Sequence, residues 1–202
     1  MEEVWQQGPP QDMKKWDKDL REKIHEREQK EWIERMKTKT KLRTTLKKEL
    51  KFEPYLSHDD TEAREIMTRL RGGTNELRIE TGRYPNTNRD RRLEEHERIC
   101  LLCFSGEIEN EKHIVMDCRS YGDLRKKMFD VVKRVMLKKN EEIEEVIKSE
   151  IGKQRIFGAL MGGEGVEDYE MRTELCGAAM EYCRAATRRR NHIVVNYLDQ
   201  RT

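Results

Sequence analysis

The stretch Cys100-Leu-Leu-Cys103-Phe-Ser-Gly-Glu-Ile-Glu-Asn-Glu-Lys-His113-Ile-Val-Met-Asp-Cys118 decides how the rest of the chain is read. Taken as ligands, it is C-x2-C-x9-H-x4-C. Three thiols and an imidazole at this spacing suit one tetrahedral zinc ion, which binds thiolate sulfur at about 2.3 Å and imidazole nitrogen at about 2.0 Å. The two-residue gap between Cys100 and Cys103 lets a tight turn aim both sulfurs at one point. Ser105-Gly106 then turns the chain back toward His113 and Cys118. Four protein ligands close the coordination sphere, so the expected cofactor is one structural Zn2+ and not a hydrolytic one.

The ligand neighbours fit this expectation. Three thiolates with Zn2+ leave one net negative charge, and Arg98, Lys112 and Arg119 lie beside the ligands. Glu109 or Glu111 is expected to orient the free nitrogen of His113. A redox dithiol would sit near a strand–helix–strand pattern, which the sequence around Cys100 lacks. Cys176 and Cys183 are seven residues apart, or about 10.5 Å along a helix. That is too far for a disulfide or a shared ion, so both read as buried small apolar residues.

Outside this stretch the pattern is helical. Apolar residues make up 35% of the chain and charged residues 41%, too polar for a core along the whole length. From Met13 to Lys51 there is neither Gly nor Pro, which predicts a long charged helix stopped by Pro54. Trp16, Leu20 and Ile24 form a narrow apolar stripe on it, an expected contact for a protein partner or for self-association through residues 13–36. Ser57-His58-Asp59-Asp60 reads as a helix cap before Thr61, and Gly72-Gly73 as that helix's end. Residues 75–84 read as short and irregular or extended, and Arg91 to Arg98 as a brief helix. Helical spacing returns from Tyr121 to Met136, at Ile143–Ile147, from Ile151 to Met161 and from Asp168 to about Arg190, with a tail that extends the last helix. The expected class is all-α: a helical domain stapled by one CCHC zinc site, with a long charged N-terminal helix. The expected organisation is an extension over residues 1–36, the zinc-binding module over 37–198 and a tail over 199–202.

Several function classes are excluded or disfavoured. No phosphate loop, nucleophile elbow or H-E-x-x-H occurs, and the other histidines have no partners at catalytic spacing, so no enzyme activity is expected. No apolar run of about 18 residues is present, so no membrane partner is expected. The first ten residues lack the basic-then-apolar order of a secretory signal. With five cysteines, that suits an intracellular compartment, nucleus or cytoplasm, and not secretion.

The net charge is only +2, but it is unevenly placed. Residues 35–51 set eight basic side chains against the single acid Glu49. The candidates for phosphate contact to RNA or DNA are Lys37, Lys39, Lys41, Arg43, Lys47, Lys48, Lys51, Arg89, Arg91 and Arg92. Further basic clusters are Arg64/Arg69/Arg71, Arg125-Lys126-Lys127 and Arg188-Arg189-Arg190. Tyr84 and Phe104 are aromatics near the site that could stack on bases.

One order of blocks carries a resemblance. A basic helix with Lys41-Leu-Arg-Thr44 precedes Glu53-Pro-Tyr-Leu56 and Arg69-Leu-Arg71. Then come Leu77-Arg-Ile-Glu-Thr-Gly-Arg-Tyr84, the four ligands, and Tyr121 and Arg125 in C-x2-Y-x3-R. Over about residues 32–190 this resembles the zinc-binding region that follows the reverse transcriptase domain in non-LTR (LINE-like) retrotransposon proteins. The resemblance implies Cys100, Cys103, His113 and Cys118 as ligands and a role in handling nucleic acid beside a polymerase. No polymerase palm or endonuclease accompanies the block here, so the expectation is a non-enzymatic detached module binding RNA or DNA. The alternatives are a structural or protein-interaction module with a structural zinc, or a non-functional transposon remnant.

Overall fold

The protein is seen in a computed structural model that describes residues 12–38, 52–85, 90–137 and 142–199. They fall into two compact units, one holding the N-terminal helix and the other everything from Phe52 onward. Every regular element described is helical. Among the described residues the one extended pairing is a single antiparallel bridge between Ile99 and Ile108. The all-α expectation therefore holds among the described residues, and no described helix is long and apolar enough to cross a membrane.

The first unit is helix α1, Met13–Lys37. Asp12 caps it by accepting from the amides of Lys14 and Lys15. Pairs such as Arg21–Asp17 and Arg27–Glu31 lace its surface one turn apart. None of its residues is buried. Trp16, Leu20, Trp32, Ile33 and Met36 are half-buried, while Ile24 is exposed. Thr38 caps the helix. The rest of the helix expected up to Lys51 lies outside the described residues.

The second unit is organised on a long C-terminal helix. Asp60 starts α2, Thr61–Gly72, by accepting from the Ala63 amide at 2.9 Å, as the capping reading of Ser57–Asp60 requires. Gly73 closes it in the left-handed conformation (φ 61) and donates back to Leu70 and Arg69. A single turn, α3 (Arg78–Thr81), stands where sequence suggested an irregular or extended piece. Arg91–Arg98 holds only a 3-10 turn, Glu95–Glu97, with a reciprocal capping box between Glu94 and Glu97. Beyond the metal-binding stretch come α4 (Gly122–Met136), α5 (Ile143–Val146), α6 (Glu150–Gly162) and α7 (Tyr169–Asp199).

Helices α2, α4 and α6 all pack on α7. The reason is in the α7 sequence: Leu175, Ala179, Met180, Tyr182, Cys183 and Ala186 recur at helical spacing and are buried. The small alanines let neighbouring helices come close. They meet Met67 and Leu70 from α2, Met128 and Val132 from α4, and Ile156, Phe157 and Leu160 from α6. Each such side chain contributes roughly 1.5–3 kcal/mol on leaving water. Tyr169, at the start of the same helix, is exposed. Cys183 is buried and burial pushes its thiol up to about 12, while Cys176, raised by burial to about 11, is half-buried. Cys183 is the buried packing residue expected, and Cys176 packs against the core from a partly exposed position.

Candidate metal centre

The bridge between Ile99 and Ile108 makes the frame of the site. Cys100 N donates to Glu107 O at 2.8 Å, and Glu109 N to Arg98 O at 2.8 Å. Between these bonds the chain must reverse within a few residues. Gly106 (φ 79) does so without cost, and Phe104 takes a left-handed φ of 51. The turn puts Cys100 and Cys103 on one side.

His113 and Cys118 come from a widened helical turn, His113–Asp117. In an α-helix, residues five apart would point about 140° away from each other. Here Cys118 N donates to His113 O at 2.7 Å, five residues back, and the wider turn brings the two side chains to the same side. Asn110 Oδ1 accepts from His113 N at 2.8 Å and fixes where the turn begins.

The four ligand atoms lie within 4.8 Å of one another, and all four residues are buried. Cys100 Sγ and Cys118 Sγ are 3.9 Å apart, and Cys103 Sγ and His113 Nε2 are 3.4 Å apart. A tetrahedron with metal–sulfur bonds of 2.3 Å and metal–nitrogen bonds of 2.0 Å has S···S edges of about 3.8 Å and S···N edges of about 3.5 Å. The donor set thus has the size and chemistry to hold one metal ion.

Its electrostatics point the same way. Cys100 hydrogen-bonds to Cys118, which together with burial pushes the Cys100 thiol up to about 12 and holds Cys118 below the ordinary thiol value. Backbone amides of Cys103 and Leu102 point at the Cys100 sulfur, and the amide of Ser120 at Cys118, stabilising thiolate. Burial disfavours the charged imidazole of His113, yet the Cys100 and Cys103 sulfurs raise its pKa above the ordinary value. Sulfurs that share protons at such short range form a centre a cation can take over.

A shell of buried charge supports the turn. Glu109, 0% exposed, receives Arg190 Nε and Nη2 at 2.9 Å each and the Arg78 amide at 2.8 Å. It was expected to orient His113 and is instead the anchor of α7 and α3 on the metal-binding stretch. Glu111 accepts from Asn75 Nδ2 at 2.6 Å. Arg125 reaches back from α4 to three carbonyls of the widened turn: Val115 at 2.7 Å, Ile114 at 3.1 Å and Cys118 at 2.9 Å. Tyr182 of α7 also donates to Ile114 O.

Of the basic neighbours, Arg119 donates twice to Cys103 O, at 3.1 and 2.8 Å. Lys112 pairs with Glu150. Arg98 turns away to the carbonyls of Leu93 and Ile79. Gly82 makes room for it, because a Cβ there would lie 2.7 Å from Arg98 Cγ and 2.6 Å from Arg78 O. Ile79 N in turn donates to Glu109 O at 3.0 Å. The Leu77–Tyr84 block is therefore a buttress behind the metal-binding turn.

The candidate nucleic-acid residues fare differently. Lys39, Lys41, Arg43, Lys47, Lys48, Lys51 and Arg89 lie outside the described residues. Lys37 pairs with Glu34 at 2.6 Å. Arg91 grips both oxygens of Glu97, holding that carboxyl down at about 2, while Arg92 is exposed. The cluster Arg188-Arg189-Arg190 is spent on Glu62, Asp123 and Glu109. Arg69 and Arg71 pair with Glu65 and Glu53. Tyr84 and Phe104 are both exposed.

Compared with known proteins, the chain matches no family model, no curated protein and no solved structure.

Proposed function

We propose that the chain is a non-catalytic zinc-binding module of the kind that follows the reverse transcriptase domain in non-LTR retrotransposon proteins. It binds RNA or DNA through phosphate contacts made by its basic segment, residues 35–51. The observation that carries the zinc reading is the convergence of three buried sulfurs and one imidazole nitrogen within 4.8 Å of one another, with the Cys100–Cys118 and Cys103–His113 separations near the edges of a tetrahedral zinc site. Four protein donors leave no open coordination position, so the metal holds structure and performs no hydrolysis. The resemblance supports the assignment because Gly82 and Arg125, two of its marker residues, serve the metal-binding turn. A reducing intracellular compartment keeps the thiols available.

The nucleic-acid part rests on charge. Most arginines of the helical unit face carboxylates, whereas residues 35–51 carry eight basic side chains against one acid. Reversing Lys47, Lys48 and Lys51 to glutamate should weaken binding of a labelled oligonucleotide in fluorescence anisotropy. It should also flatten the salt dependence, by roughly 0.9 in the log–log slope per lost duplex contact. Unchanged affinity and slope would overturn the assignment of that surface. It would favour the second reading, a module that pairs with a protein helix through residues 13–36, where the tryptophans of α1 are only half-buried.

A further inference from the structure

Phe104 stands out at the tip of the metal-binding turn. It is 78% exposed. Among the described residues it is also the single non-glycine residue with positive φ. A bulky L-residue in the left-handed region is strained, and glycine or asparagine would sit there more easily. A ring turned to solvent at that position does no packing. Its peptide neighbour Cys103 is a metal ligand, so the ring is displayed from a fixed point.

Its surroundings are polar. Ser105, Glu107 and Arg119 are exposed beside it. Arg119 is anchored on Cys103 O through Nε and Nη2, and no carboxylate pairs with it among the described residues. A protein partner would need an apolar patch with a buried centre, and one ring among polar residues does not make one. One flat base with its phosphate fits a ring face beside a free guanidinium edge.

We infer that Phe104 is a stacking platform for an unpaired base, with Arg119 meeting the adjoining phosphate, so that the module prefers single-stranded nucleic acid. The inference rests on the nucleic-acid reading above and names its substrate class. A paired base keeps its faces in the helical stack and is not available to the ring.

The test uses the full zinc-loaded chain with two labelled probes, an oligouridylate of about 16 nucleotides and a duplex of the same length. Phe104→Ala should weaken single-strand binding about 5- to 150-fold, the range for loss of one stacked base. Phe104→Trp should restore it, and duplex binding should stay unchanged. Circular dichroism and zinc content should match the wild type, because the ring is exposed. If Phe104→Ala leaves single-strand affinity unchanged while reversal of Lys47, Lys48 and Lys51 weakens it, this inference falls and the broader reading stands. Equal loss on both probes also overturns it. If the wild type binds neither probe, both readings fall.

Discussion

Removing the Arg190 guanidinium should be among the most damaging single changes outside the four ligands. Glu109 is completely buried and its carboxylate is matched on both oxygens by Arg190 at 2.9 Å, with the Arg78 amide as third donor. Arg190→Met keeps most of the volume of the side chain but leaves that carboxylate inside with one amide. Breaking a buried pair from one side costs about 3–5 kcal/mol, because the remaining charge loses its compensation. Replacing both partners, Glu109→Met with Arg190→Met, removes the charge problem and should recover a large part of the loss. Pairs of this kind are often neutral when exchanged for apolar residues. The assay is urea unfolding followed by circular dichroism at fixed excess zinc, for wild type, both singles and the double. The double-mutant cycle should give a coupling energy of several kcal/mol. A loss below about 1 kcal/mol for Arg190→Met, or a double variant no better than the single, would refute the claim that this pair ties α7 to the metal-binding turn.

Two further outcomes follow from the same turn. Chelating the metal, or Cys103→Ser, should lower the urea midpoint by the equivalent of several kcal/mol, because binding at a four-ligand site is coupled to folding. Protein purified without chelator should carry one zinc per chain by elemental analysis, and a chain with none would refute the zinc assignment. Tyr121 is fully buried, and its hydroxyl has no hydrogen-bond partner among the described residues. Tyr121→Phe therefore removes an unsatisfied polar atom and should be neutral or stabilising by up to about 1 kcal/mol, and a clear destabilisation would show that the hydroxyl has a bonded water or other partner.

Much of this molecule is legible in its sequence where the signal is local. The Asp60 cap, the Gly73 stop and the helical spacing from Tyr121 to Met136 depend on neighbours a few residues away, and the four residues that could hold a metal fall within nineteen positions. What sequence reading missed depends on residues far apart in the chain. Residues 77–81 form a turn and not an extended piece because Ile79 N and Arg78 N both bond to Glu109, some thirty positions later. The widened turn at His113 appears as five-residue ligand spacing, which an ordinary helix would not serve, and this was the one available clue to it.

Charge is where local reading misleads most. Arg188-Arg189-Arg190 looks like a nucleic-acid surface in sequence. In the fold, each of the three meets a different carboxylate, at Glu62, Asp123 and Glu109. Only the last pair is buried. The exposed Arg188 and Arg189 pairs are weak interactions that phosphate could displace, while Arg190 could leave Glu109 only by unfolding the turn. A basic run is therefore a binding surface only to the extent that its carboxylates are absent or exchangeable. Residues 35–51 hold a single acid, Glu49, in their own sequence, and the carboxylates that meet Arg35 and Lys37, Glu31 and Glu34, form exposed pairs of the exchangeable kind. On the proposed reading the phosphate contacts lie there, while the Arg188-Arg189-Arg190 run belongs first to the fold.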